Sequence, residues 1–157
     1  MKAASIQEIK QGLTDTPQKE LVQICLRLAR FKKENKELMT YLLFEATDGA
    51  AYIREIKKEM EEQVAGINVS SLYYVKKSLR KILIVTGRYI RYTGSIEAEI
   101  ELLLHFCRVL KASGIPFEES PVLVNMYQAQ LKKIKGAIAT LHEDLQYEYG
   151  REMDQFK

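Results

Sequence analysis

Residues 121–149 read PVLVNMYQAQLKKIKGAIATLHEDLQYEY, and the spacing of their apolar members decides the fold class. Val124, Tyr127, Leu131, Ile134, Ile138, Leu141 and Leu145 recur at alternating steps of three and four, which places them on one face of a helix. Ser120 followed by Pro121 is a helix start: the serine caps, and the proline occupies the first position, where its missing N–H costs nothing. The spacing predicts one long helix over 121–149. Its stripe needs a neighbouring helix along nearly the whole length, supplied within the chain or, as a homodimer seam, by a second copy. The remainder after Gly150, REMDQFK, has no such stripe and is expected to fray.

The same period runs through the rest of the chain. Ser5 and Glu8 form a capping box for a short helix that Gly12 should close. Thr16 and Pro17 open a second helix carrying Leu21, Cys25 and Leu28, and Asn35 is placed to cap a third with Leu38, Tyr41, Leu42 and Phe44 on its apolar side. Ile53, Ile56, Met60 and Val64 make a narrow stripe on a fourth helix, ended by Gly66. A cap at Asn68 or Ser70 starts a fifth that reaches Thr93. Gly94 and Ser95 separate it from a sixth, which begins with Glu97, Glu99 and Glu101 and ends near Gly114. No window alternates with period two. The expectation is an all-α fold of about seven amphipathic helices, packed as antiparallel hairpins in an irregular α-α superhelix or bundle. With connectors this short, residues 1–157 read as a single domain.

Segment 17–46, PQKELVQICLRLARFKKENKELMTYLLFEA, resembles one helical pair of HEAT-type superhelical proteins. The stretches KKSLRKIL (76–83), GRYIRYTGSIEAEIELLLHFC (87–107) and LHEDLQYEYG (141–150) are similar to a family of small, uncharacterised all-helical bacterial cytoplasmic proteins. That resemblance implies a bacterial cytoplasmic protein and brings no activity and no site residue with it.

Composition excludes several classes. Of 157 residues 46% are apolar, and only eight are Gly and three Pro, which rules out disordered and collagen-like chains. The start, MKAASIQEIKQ, lacks the apolar core of an export signal, and the apolar runs are far shorter than a bilayer span, so a cytoplasmic location without membrane is expected. Cys25 and Cys107 lie in apolar periodic segments and read as reduced core residues. Glycine loops for phosphate, zincin motifs and nucleophile elbows are all missing. His105, with Glu101 four residues before it, and His142 beside Glu143 fall short of any metal-ligand spacing, so no metal and no cofactor is expected.

Charge is the informative feature. The net +3 conceals a segment, 70–93, with six basic and no acidic residues, set between 48–69 with three basic and five acidic and 94–119 with two and five. On a helix, Lys77, Arg80, Lys81, Arg88 and Arg91 fall within about 60° of one line and span about 21 Å. Tyr73, Tyr74 and Tyr92 lie on or beside that line, and Ile84 interrupts its centre. The plain reading is a solvated face, or one whose Arg88 and Arg91 meet Glu97, Glu99 and Glu101 in a salt-bridge seam as the next helix folds back. The others are an acidic protein partner, nucleic acid, or an anionic membrane surface. The leading expectation for the whole chain is therefore a non-enzymatic, scaffold- or adaptor-like protein-interaction protein. Nucleic-acid binding through the 70–93 helix is the alternative, and an enzyme with a His/Glu pocket between helices is the second.

Overall fold

The structure is a computed structural model that describes residues 1–156. Among them there are helices and turns and no strand, so the fold is all-α. The α-helices are α1 (Ile6–Thr14), α2 (Gln18–Phe31), α3 (Lys33–Thr40), α4 (Gly49–Ala65), α5 (Leu72–Thr93), α6 (Ile96–Ala112), α7 (Pro121–Ile138) and α8 (Glu143–Met153). A π turn (Tyr41–Glu45) and a 3-10 turn (Ala46–Asp48) join α3 to α4. Further 3-10 turns lie at Phe117–Glu119 and Asp154–Phe156. The chain divides into two compact units, Met1–Phe44 and Glu45–Lys157.

The larger unit is organised by α6. Its sequence IEAEIELLLHFCRVLKA is apolar on almost every side beyond the first turn, which suits a helix surrounded by others. Ile100, Leu102, Leu104, Phe106, Cys107 and Leu110 are all essentially inaccessible. Helices α4, α5 and α7 pack on it. From α4 comes the stripe read from its spacing, Ile53, Ile56, Met60 and Val64; from α5 come Val75, Leu79 and Ile82; and from α7 come Tyr127, Leu131, Ile134 and Ile138 of its expected stripe, with Leu123 buried and Val124 only half-buried. Most of these side chains form one core, and Ile53, Ile56, Ala98 and Leu102 form a smaller second cluster.

Caps set the element ends. Ser71, rather than Asn68 or Ser70, caps α5 by accepting the Tyr74 N–H, while the Asn68 carboxamide accepts from Ser70 N–H at 2.9 Å and shapes the loop before it. Gly94 ends α5 in the left-handed conformation at φ 60°, which only a residue without Cβ adopts cheaply, and Ser95 caps α6 at once.

Two expectations fail in the last forty residues. The helix expected over 121–149 is divided at Ala139–His142. Thr140 Oγ1 donates back to the Ala137 carbonyl at 2.7 Å, closing α7. His142 caps α8, with Glu143 and Asp144 in the first turn, where the helix dipole favours them. The Gln146 amide then donates to the Leu141 carbonyl at 2.7 Å and the Ala139 carbonyl at 3.3 Å, satisfying backbone groups that the break frees. Leu141 and Leu145 remain half-buried, so the apolar spacing persists through a change of direction. The α7 stripe is consumed inside the unit, and a homodimer seam along 121–149 would need those same side chains.

Lys157 lies outside the described residues, and from Arg151 to Phe156 the tail does not fray. It continues as α8 and a 3-10 turn that bring Met153 and Phe156 into the core, with Lys111 Nζ 5.8 Å from the Phe156 ring centre. Two apolar residues three apart are too few to register as a stripe, yet enough to fasten a chain end.

The unit Met1–Phe44 contains α1, α2 and α3, with α2 and α3 in contact. The Ser5–Glu8 capping box forms as expected, Ser5 N–H donating to Glu8 at 2.7 Å, but Gly12 does not close the helix, which continues to Thr14. Thr16 Oγ1 donates to the Gly12 carbonyl at 2.7 Å, and Pro17 takes the cap position of α2. Asn35 does not cap α3. Its side chain reaches back to the Leu28 carbonyl at 2.8 Å and ties α3 to the end of α2. No residue of this unit is buried. Cys25, expected inside, is exposed.

Candidate functional site

The fifth helix is built to be buried on one side and charged on the other. Val75, Leu79, Ile82 and Thr86 anchor it in the core, which turns the opposite face outward over its whole length. Lys77, Arg80, Lys81 and Arg91 are exposed and Arg88 is half-buried, as the helical projection requires. Tyr73 is 66% exposed and Ile84 65% exposed, both near the centre line of the cationic stripe. An open groove of about 470 Å³ runs along this face, lined by α5 alone, from Tyr73 past Lys77, Arg80 and Ile84 to Arg88.

The pairing of α6 carboxylates was expected at Arg88 and Arg91, and at Arg91 no ion pair forms among the described residues. Glu101 accepts from Lys57 Nζ on α4 at 3.0 Å. Among the described residues no ion pair engages Lys77, Arg80, Lys81 or Arg91. The face thus holds four cations whose fields add, around an apolar centre. The two tyrosines at its start, Tyr73 and Tyr74, meet edge to face with centroids 5.5 Å apart. Tyr92 behaves differently: it is half-buried, with its ring 6.3 Å from that of Tyr89, which in turn meets Tyr52 of α4. The structure therefore groups Tyr73 with the basic stripe and turns Tyr92 toward the body of the unit.

The histidines are separated by role. His105 has a side chain only 16% exposed, and its Nε2 lies 2.8 Å from Glu61 Oε1. Burial holds its pKa below the ordinary value, with Lys57 and Arg108 pushing the same way and Glu61 opposing. His142 is exposed, and its Nδ1 lies 3.6 Å from Asp144 of its own turn. Cys107 is buried and its thiol is pushed up to about 12 by burial, the opposite of an activated nucleophile. Burial likewise raises the Tyr127 hydroxyl to about 12. An apolar recess of about 480 Å³ opens between Val64, Ile67, Val109 and Ile115, with Glu61 and Arg108 at its margin. Both of those charges are engaged, Glu61 with His105 and Arg108 with Glu152 at 2.6 Å. Among the described residues no three potential metal-ligating side chains come together, and no helix is long and apolar enough to cross a membrane.

No protein-family model, curated protein or solved structure matches this chain. Its surfaces are therefore read from their own chemistry.

One such surface escapes the sequence reading altogether. Leu28, Leu42 and Phe44 were expected on the apolar, buried sides of their helices, yet they and the neighbouring Phe31 and Leu43 are all more than half exposed, Phe31 to 75%. The only signal that could have marked them is density: between Leu21 and Phe44 there are eleven Leu, Ile, Val, Phe and Met residues interspersed with cations, a surplus over what two short helices can bury between them.

Proposed function

We propose that this chain is a non-enzymatic protein-interaction protein of the cytoplasm, which binds another protein through the apolar faces of the Met1–Phe44 helices. The observation that carries the reading is the exposure of Leu28, Phe31, Leu42, Leu43 and Phe44 in a unit without a single buried residue. A helical unit this small gains little from its own burial. Each large apolar side chain transferred from water to an interface is worth about 1.5–3 kcal/mol, so burial of these five favours a partner's binding. Leucine and phenylalanine rows on helices bury best against another helix, ridge into groove. The partner is thus expected to present an amphipathic helix. The free thiols of Cys25 and Cys107 suit a reducing compartment.

Photo-crosslinking in cells tests this, with p-benzoylphenylalanine replacing Phe31 in one variant and Phe44 in another. Both positions should give adducts with peptides of one and the same protein, and adding Leu28→Asp should abolish them. Absence of an adduct at both positions, or adducts indifferent to Leu28→Asp, overturns the reading.

A further inference from the structure

The outward face of α5 presents a second surface, and its chemistry is specific enough to name an occupant. Three features of the face come together. The first is four exposed cations, Lys77, Arg80, Lys81 and Arg91, which no carboxylate among the described residues neutralises. The second is an apolar spine, with Ile84 among those cations and Tyr73 one turn before the first of them, each about two-thirds exposed. The third is the groove of about 470 Å³ that follows the spine.

We propose that this face docks an acidic amphipathic segment of another protein, whose apolar residues seat on Ile84 and Tyr73 while its carboxylates pair with Lys77, Arg80, Lys81 and Arg91. The complementarity is of sign and of layout. A partner helix with apolar residues along one edge and glutamate or aspartate on both flanks matches a basic frame around an apolar centre. Ile84 would be desolvated, which strengthens the ion pairs around it, as rim charges around an apolar anchor do in protein interfaces.

The same layout disfavours the other polyanions. A nucleic-acid backbone is followed by a continuous row of donors, one per phosphate, and an isoleucine at the centre of the row contributes none. The exposed face also has no Asn or Gln to read a base edge. An anionic membrane takes up a helix through its apolar side, and that side of α5 is occupied by the core. Nothing in this proposal depends on the Met1–Phe44 helices, so its failure and theirs are separable.

The test is fluorescence anisotropy of the full-length protein with four labelled probes. These are an 18-residue helical peptide with leucine on one edge and glutamate on both flanks, polyglutamate of the same charge, a 20-nucleotide oligothymidine, and a 20-base-pair duplex. The peptide is expected to bind about tenfold more tightly than polyglutamate, with that margin removed by Ile84→Ser. Lys77→Glu combined with Arg80→Glu should abolish binding of both acidic probes. All substituted positions are exposed, and an unchanged thermal midpoint checks that the variants are folded. Peptide no tighter than polyglutamate, tighter binding of either oligonucleotide, or peptide binding indifferent to Ile84→Ser in the folded variant each overturns the proposal.

Discussion

Residues 1–44 and the helices that begin at Gly49 have the same three-and-four apolar spacing and opposite fates. Met60, Leu104 and Ile134 are no more than 2% exposed, whereas Leu28 is 52% and Phe44 71% exposed. Amphipathic spacing states which face of a helix seeks burial, and it does not state where the burial is found. In the larger unit a helix apolar on nearly all sides, α6, gives the other stripes a common surface. The first 44 residues contain no helix of that kind, so their stripes have nothing to converge on.

Substitution should expose this contrast most strongly at its extremes. Phe106→Ala, on the fully buried side of α6, is expected to cost about 3–5 kcal/mol. Leu28→Ala in the isolated chain should stay within about 0.5 kcal/mol. Urea unfolding followed by circular dichroism measures both, and equal costs would break the comparison.

The chain end gives the next effect. Phe156→Ala should cost about 2 kcal/mol, because the ring is buried in the core. A cost near zero would mean that the tail frays after Gly150 and belongs with the exposed unit in behaviour.

How far the sequence is legible follows the same division. The four-residue stripe of α4, the cap and proline before α7, the Gly94–Ser95 boundary and the basic line on α5 could all be read from spacing, because each depends on neighbours within a few residues. The division at Ala139–His142 was hidden: apolar spacing continues through it, and the groups that stabilise it are Thr140, His142 and Gln146, which are unremarkable in a helix. The burial of Met153 and Phe156 was hidden because it depends on core offered by distant segments. The exposure of Lys77, Arg80, Lys81 and Arg91 without an ion pair among the described residues could not be read either, since Glu101 turns to Lys57 on α4 only through the packing of α4 on α6. Least legible was the exposure of Leu28, Phe31, Leu42, Leu43 and Phe44, for spacing names the face that seeks burial and not whether burial is found.

The smallest expected effect is a pH dependence confined to the larger unit. Burial holds the His105 pKa below its ordinary 6.5, so the unfolded chain takes up a proton at higher pH than the folded one does. Stability should therefore be fullest above that value and decline as the pH falls through and below it. Glu61, Lys57 and Arg108 face the ring and set the size of the decline. Thermal midpoints at pH 7.5 and pH 5.5 read it, and His105→Gln should reduce the difference. A midpoint that rises toward pH 5.5, with the rise abolished by His105→Gln, would show that the Glu61 carboxylate outweighs burial.

Amide hydrogen exchange on the full-length monomer, resolved by peptide, tests most directly whether Met1–Phe44 has no buried core of its own. Peptides covering Ile6–Phe44 should exchange orders of magnitude faster than those covering Ala98–Leu110, which lie at the centre of the core. Equal protection of the two segments in a solution shown by light scattering to be monomeric would mean that the N-terminal helices already have their burial, and would contradict the account.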